Sequence, residues 1–98
     1  MPIYLVERDL EGISLDGLGD AKEAANDQAR RMRVAGTQIH YLRSTFVPQD
    51  GRCMCLFEAE TEAVVRALNE EAGLPYFRIV PAYDLDPVTI RGTEPANG

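Results

Sequence analysis

The chain has 98 residues, 45% of them hydrophobic and 27% charged, with 16 acidic against 10 basic residues and a net charge of -6. That length fits one domain, the composition excludes a disordered chain, and the acidic balance argues against nucleic acid, whose phosphates require a basic surface. No apolar run approaches the ~20 residues of a membrane-spanning helix, and Pro2-Ile3-Tyr4-Leu5-Val6 carries no leader pattern, so a cytoplasmic protein without a membrane partner is expected.

Residues 2–8 read as a first strand, rich in β-branched, aromatic and aliphatic side chains and opening on a proline. A polar loop with Gly12, Gly17 and Gly19 follows. The spacing of Leu18, Ala21, Ala25, Ala29 and Met32 predicts a helix over 18–35. Asp16 or Asp20 is the expected N-cap, and Gly36 suits the left-handed position past the end. The basic cluster Arg30, Arg31, Arg33 then falls at the helix C-terminus, where cations suit the dipole. A stripe made mostly of alanine lets the helix lie close to a sheet.

Residues 37–47 alternate as a second strand. Gln38, His40, Leu42, Ser44 and Phe46 are expected on one face, with Ile39, Tyr41, Arg43, Thr45 and Val47 on the other. Pro48-Gln49-Asp50-Gly51 signals a hairpin turn. Residues 52–59 form a third strand, with Cys53, Cys55 and Phe57 on one face and Met54 and Leu56 on the other. Both faces are apolar, so this strand is expected to be central and covered on both sides. Thr61 caps a second helix over 61–72, with Val64, Ala67, Leu68 and Glu71 along its stripe and Val65 beside it, ended by Gly73 and Leu74-Pro75. Residues 76–85 read as a fourth strand, at an edge because Pro81 lacks a ladder donor. The expected domain spans 1–86, and 87–98 read as a flexible C-terminal tail.

The order β-α-β-β-α-β makes this an α+β chain of ferredoxin-like pattern, a four-stranded antiparallel sheet with two helices on one face. Two helices cover only one face. A homodimer through the open sheet face, as in a dimeric α/β barrel, is the expected cover for the other.

Four segments carry a resemblance to a known family. They are Tyr4-Leu5-Val6-Glu7-Arg8-Asp9-Leu10, Tyr41-Leu42-Arg43-Ser44-Thr45-Phe46-Val47-Pro48, Cys53-Met54-Cys55-Leu56-Phe57-Glu58-Ala59, and Ala72-Gly73-Leu74-Pro75 with Arg78-Ile79-Val80. From Pro2 to about Ala82 the chain resembles a domain-of-unknown-function family of small bacterial ferredoxin-like proteins that includes nickel-binding members. The resemblance implies a ferredoxin-like fold, dimers, and metal binding in some members.

Cys53 and Cys55, two apart on a strand, offer two soft thiolate donors on one side. His40 is the chain's single histidine, and it becomes a third donor if the second and third strands pair in the right register. Nickel or another divalent transition metal is the ion such a set suggests. The bland alternative is a pair of buried thiols acting as small hydrophobes. If the chain is an enzyme, His40, Tyr41 and Arg43 are the candidate catalytic residues. Glu7, Arg8, Asp9, Arg43 and Ser44 lie near strand ends, where a cleft can form, although exposed ion pairs there are worth little. Tyr4, Tyr41, Tyr76 and Tyr83 either line a pocket or pack with a polar handle to water. No phosphate-binding loop, nucleophile motif or dinucleotide fingerprint is present, so no cofactor is implied beyond the metal. The first reading is a small ligand-binding protein, with nickel among its candidate ligands. The alternatives are a cofactor-independent monooxygenase, cyclase or isomerase with a pocket on the sheet, and a structural or regulatory dimer with no small-molecule site.

Overall fold

The computed structural model describes residues 1–92. Strand β1 (Ile3–Asp9), helix α1 (Leu15–Val34), strands β2 (Ile39–Val47) and β3 (Arg52–Ala59), helix α2 (Glu62–Glu71) and strand β4 (Arg78–Ala82) follow the expected order. They build an antiparallel four-stranded sheet in the order β2-β3-β1-β4. This is the ferredoxin-like α+β layout. Strand β3 is central, and β4, which holds Pro81, is an edge. No helix among the described residues is long and apolar enough to cross a membrane.

Helix α1 begins at Leu15 rather than at 18, because Ser14 is its cap: the Ser14 hydroxyl oxygen accepts a hydrogen bond from the Gly17 amide at 3.0 Å. Asp16 lies inside the first turn, where its charge suits the helix dipole. Gly36, at φ 101°, closes the helix, and the Thr37 amide donates back to the Met32 carbonyl at 2.8 Å. Ala25 and Ala29 on α1 and Val65 and Leu68 on α2 pack on one sheet face against Tyr4, Val6, Ile39, Phe57 and Ile79. On α2 the expected Leu68 and the neighbouring Val65 are buried together with Asn69, while Val64 and Ala67 are half-buried and Glu71 is exposed. Apolar spacing overlooks Asn69, which is fully buried, its side-chain amide donating to the Val65 carbonyl at 2.8 Å and its Oδ1 left without a partner among the described residues.

The largest departure from expectation is in β2. Tyr41 faces Phe57 across the ladder, yet the next paired residue is Arg43, opposite Leu56. Leu42 is the extra residue of a β-bulge. An inserted residue reverses the inward and outward alternation of everything after it. Tyr41 therefore shares the helix-covered face with Ser44 and Phe46, while His40, Arg43 and Thr45 share the other. The expected alternation put His40 with Ser44 and Phe46, and Tyr41 with Arg43.

The chain stays folded past residue 86. Strand β5 (Asp84–Leu85) pairs with strand β6 (Ile90–Arg91). The hairpin is tied to the open sheet face by an ion pair from Arg43 to Asp84 and another from Arg91 to Glu58. The tail expected from 87 thus bonds back onto the sheet as far as Arg91, and residues 93–98 lie outside the described residues. Leu5, Met54, Leu56 and Val80 on that face remain half-buried.

Candidate functional site: a cleft between the first helix and the sheet

The small side chains of α1 that let it approach the sheet also leave a gap beside its first half. Leu18, Ala21, Lys22 and Ala25 from α1 form one wall of a cleft of about 520 Å³. Leu10 follows β1 at one end, and Phe46 from β2 closes the apolar side. The floor is polar. Arg8 from β1, Tyr41 and Ser44 from β2, and Cys53 and Cys55 from β3 line it. The bulge at Leu42 is what brings Tyr41 and Ser44 to the same side as the thiols.

Arg8 is 2% exposed, an unusual place for a guanidinium. Its position follows from strand parity, since it alternates with Tyr4 and Val6 on the covered face. Nε donates to the Cys55 sulfur at 3.4 Å and Nη1 to the Pro75 carbonyl at 3.1 Å. Nη2 is buried without a partner. The Ser44 hydroxyl donates to the same Cys55 sulfur at 2.9 Å and lies 2.5 Å from the Tyr41 hydroxyl oxygen. The Cys53 and Cys55 sulfurs are 3.8 Å apart, and both thiols are free. Tyr41 also packs on Phe57, with ring centroids 5.4 Å apart.

Burial pushes the Cys53 thiol up to about 12, with the neighbouring Cys55 adding to the shift and Arg8 opposing it. Burial likewise raises the Tyr41 hydroxyl, against the lowering effect of its hydrogen bond to Ser44. Native Cys53 is therefore expected to resist iodoacetamide at neutral pH and to react once the chain is unfolded, as peptide mass mapping would read. Fast native labelling of Cys53 would contradict this. The linkage has a definite sign. The unfolded thiol loses its proton near 9.0 and the folded one near 12, so this group's contribution is full below 9.0 and is lost as pH rises through that window.

Among the described residues the charged side chains lining the cleft are Arg8, Lys22 and Arg43, with no carboxylate or imidazole. This is a cationic cleft in a chain of net charge -6. The Arg43 guanidinium is paired with Asp84, and the Lys22 ammonium lies 4.0 Å from Glu23. Arg8 has only neutral partners among the described residues.

The structure does not bring His40 to the thiols. His40 pairs with Glu58 in the β2–β3 ladder, while Cys53 and Cys55 pair with Phe46 and Ser44 and line the helix-side cleft. The bulge is the physical reason, because it gives Ser44 and Phe46 the side that simple alternation assigns to His40. Among the described residues no group of three or more His, Cys, Asp or Glu side chains is placed to hold a metal ion. His40, Tyr41 and Arg43 are also divided: Tyr41 lies in the cleft, the Arg43 guanidinium leaves its rim for Asp84, and His40 is on the other face. Arg8 is the site residue that sequence reading placed as a strand-end charge. Its parity with Tyr4 and Val6 was the signal that could have found it.

The model of a protein family described as "Nickel responsive protein SCO4226-like" matches residues 4–81. A solved structure titled "Crystal structure analysis of SCO4226 from Streptomyces coelicolor A3(2)" is similar with a TM-score of 0.70 and 22% identity, covering 89% of this chain and 98% of that one. At that identity the likeness establishes the fold. No curated protein matches the chain.

Proposed function

The chain belongs to the nickel responsive protein SCO4226-like family, and from that premise and the cleft we propose that it is a ligand-binding protein holding a small organic molecule between α1 and the sheet. One observation carries the reading: an open cleft of about 520 Å³ has apolar walls and a polar floor in which Arg8, Cys53 and Cys55 are buried and Ser44 is exposed. Ligand sites are of this size and this mixture.

Nickel is the word in the family's description, and a nickel ion in the cleft would have to be held by the donors that line it. They amount to two thiols, of which Cys53 holds its proton up to about 12. Closed thiolate sites ordinarily take four ligands, and a coordinating thiol must give up its proton. The two sulfurs and the distant His40 therefore do not fit a nickel site within one chain.

The test is a pair of titrations on reduced, tag-free protein. The neutral apolar dye phenylnaphthylamine is expected to brighten on binding, and Ala21→Trp, which fills the cleft, is expected to abolish the signal. Nickel chloride, followed by calorimetry, is expected to bind no tighter than about millimolar, the range of weak surface oxygen sites. Dye binding indifferent to Ala21→Trp would defeat the reading. So would tight nickel binding that disappears in Cys53→Ser.

A further inference from the structure

We infer that the ligand of this cleft is a monoanionic organic acid, a carboxylate on an apolar chain or ring, with Arg8 as the anchor of its head group. The inference rests on the reading of the cleft as a ligand site and adds the chemical class of the ligand. Arginine stays ionised in proteins, so Arg8 is a permanent positive charge that is 2% exposed. A buried cation without a counter-charge is unfavourable. Its two used nitrogens reach a neutral carbonyl and a sulfur, and Nη2 has no partner. A guanidinium fork is matched best by a carboxylate, which takes two parallel N–H donors.

The charge count favours one negative charge over two. Arg43 is engaged with Asp84, and Lys22 lies near Glu23, so Arg8 is the lining cation left without an anionic partner. The Ser44 hydroxyl proton goes to Cys55 and the Tyr41 hydroxyl proton to Ser44, so Arg8 is the donor on the floor left for an anion. The walls ask for hydrocarbon: Leu10, Leu18, Ala21, Ala25 and Phe46 carry no polar side-chain atom. A small hydrophilic oxyanion would leave those walls uncovered. The chain's net charge of -6 repels anions at long range. Attraction must then come from the local cationic lining, and moderate salt, by screening the repulsion, should speed association.

The experiment compares isosteric acids and amides by amide chemical-shift titration of isotope-labelled protein. The probes are octanoate, octanamide, benzoate, benzamide and inorganic phosphate. Octanoate and benzoate are expected to bind at least about tenfold more tightly than their amides, the margin of a charge-assisted hydrogen bond. Shifts should centre on Leu18, Ala21, Tyr41 and Ser44. In Arg8→Met the acids should fall to the level of the amides. Arg8→Lys, which keeps the charge and loses the fork, should lie between. The acid–amide comparison on the unsubstituted protein stands even if Arg8→Met does not fold. Equal binding of acids and amides overturns the anion assignment and leaves the cleft as a ligand site. Phosphate binding more tightly than octanoate, with the same shifts, overturns the organic acid in favour of an inorganic oxyanion. No binding by any probe overturns both readings.

Discussion

Replacing Arg8 with methionine is expected to raise the melting temperature by about 4–8 °C, or about 1 kcal/mol for a domain of this size, while removing the preference for carboxylate ligands. Two effects compete. The substitution deletes the hydrogen bonds to the Pro75 carbonyl and the Cys55 sulfur. Each net hydrogen bond is worth about 1 kcal/mol, somewhat more when one partner is charged. It also deletes a buried charge with no counter-ion, whose effective burial penalty is several kcal/mol. The penalty is the larger, so the apolar isostere should be the more stable protein. Gain of stability with loss of binding marks a residue kept for its ligand. Octanoate at about a hundred times its Kd should raise the unsubstituted protein by about 2.7 kcal/mol, and Arg8→Met, which binds it about tenfold more weakly, by no more than about 1.4 kcal/mol. Calorimetric melting with and without octanoate reads both terms. A lower melting temperature in Arg8→Met would show that Arg8 is a structural residue satisfied by its neutral partners.

Gly51→Ala is expected to cost about 2–4 kcal/mol and lower the melting temperature by about 10–20 °C. Two causes add. Gly51 sits at φ 72°, a conformation that favours glycine, and a Cβ there would stand 2.5 Å from the Glu11 Cα and 2.7 Å from its amide nitrogen. The β2–β3 turn is pressed against the segment after β1, and the Leu10 amide donates to the Gly51 carbonyl at 2.7 Å. Separating the two segments would also move Leu10, a wall of the cleft. Gly36 is the control. It has φ 101° with open space around it, so Gly36→Ala should lose only the conformational part, about 1 kcal/mol. Equal losses at the two positions in thermal melts would show that the contact with Glu11 contributes nothing.

Element order, the central place of β3 and the edge place of β4 were legible because local patterns carry them. Apolar character on both sides of Cys53–Ala59 marks a central strand, and Pro81 marks an edge. The site was less legible, for two reasons. Leu42 reads as an ordinary member of an alternating strand, and nothing local announces that it is an insertion. With the parity carried straight through, His40 falls beside Ser44 and Phe46 and a histidine–thiol cluster looks available. The folded ladder gives that place to Tyr41. The second reason is distance along the chain. Strand β6 is held by Arg91 to Glu58, and β5 by Arg43 to Asp84, contacts between residues far apart in sequence that no local pattern displays. Arg8 is the intermediate case. Its alternation with Tyr4 and Val6 points inward, while its charge, beside Glu7 and Asp9, argues for the surface. In the folded chain the inward parity wins, and Arg8 is 2% exposed.

The most direct test of the account is where a bound acid lies. Isotope-filtered nuclear Overhauser spectra of the labelled protein with unlabelled octanoate locate it without any substitution. The predicted result is contact from the octanoate methylene protons to Leu18, Ala21, Ala25 and Phe46, with the Arg8 side-chain resonances shifted. Contacts instead to Leu5, Met54, Leu56 and Val80, on the opposite face of the sheet, would contradict the account.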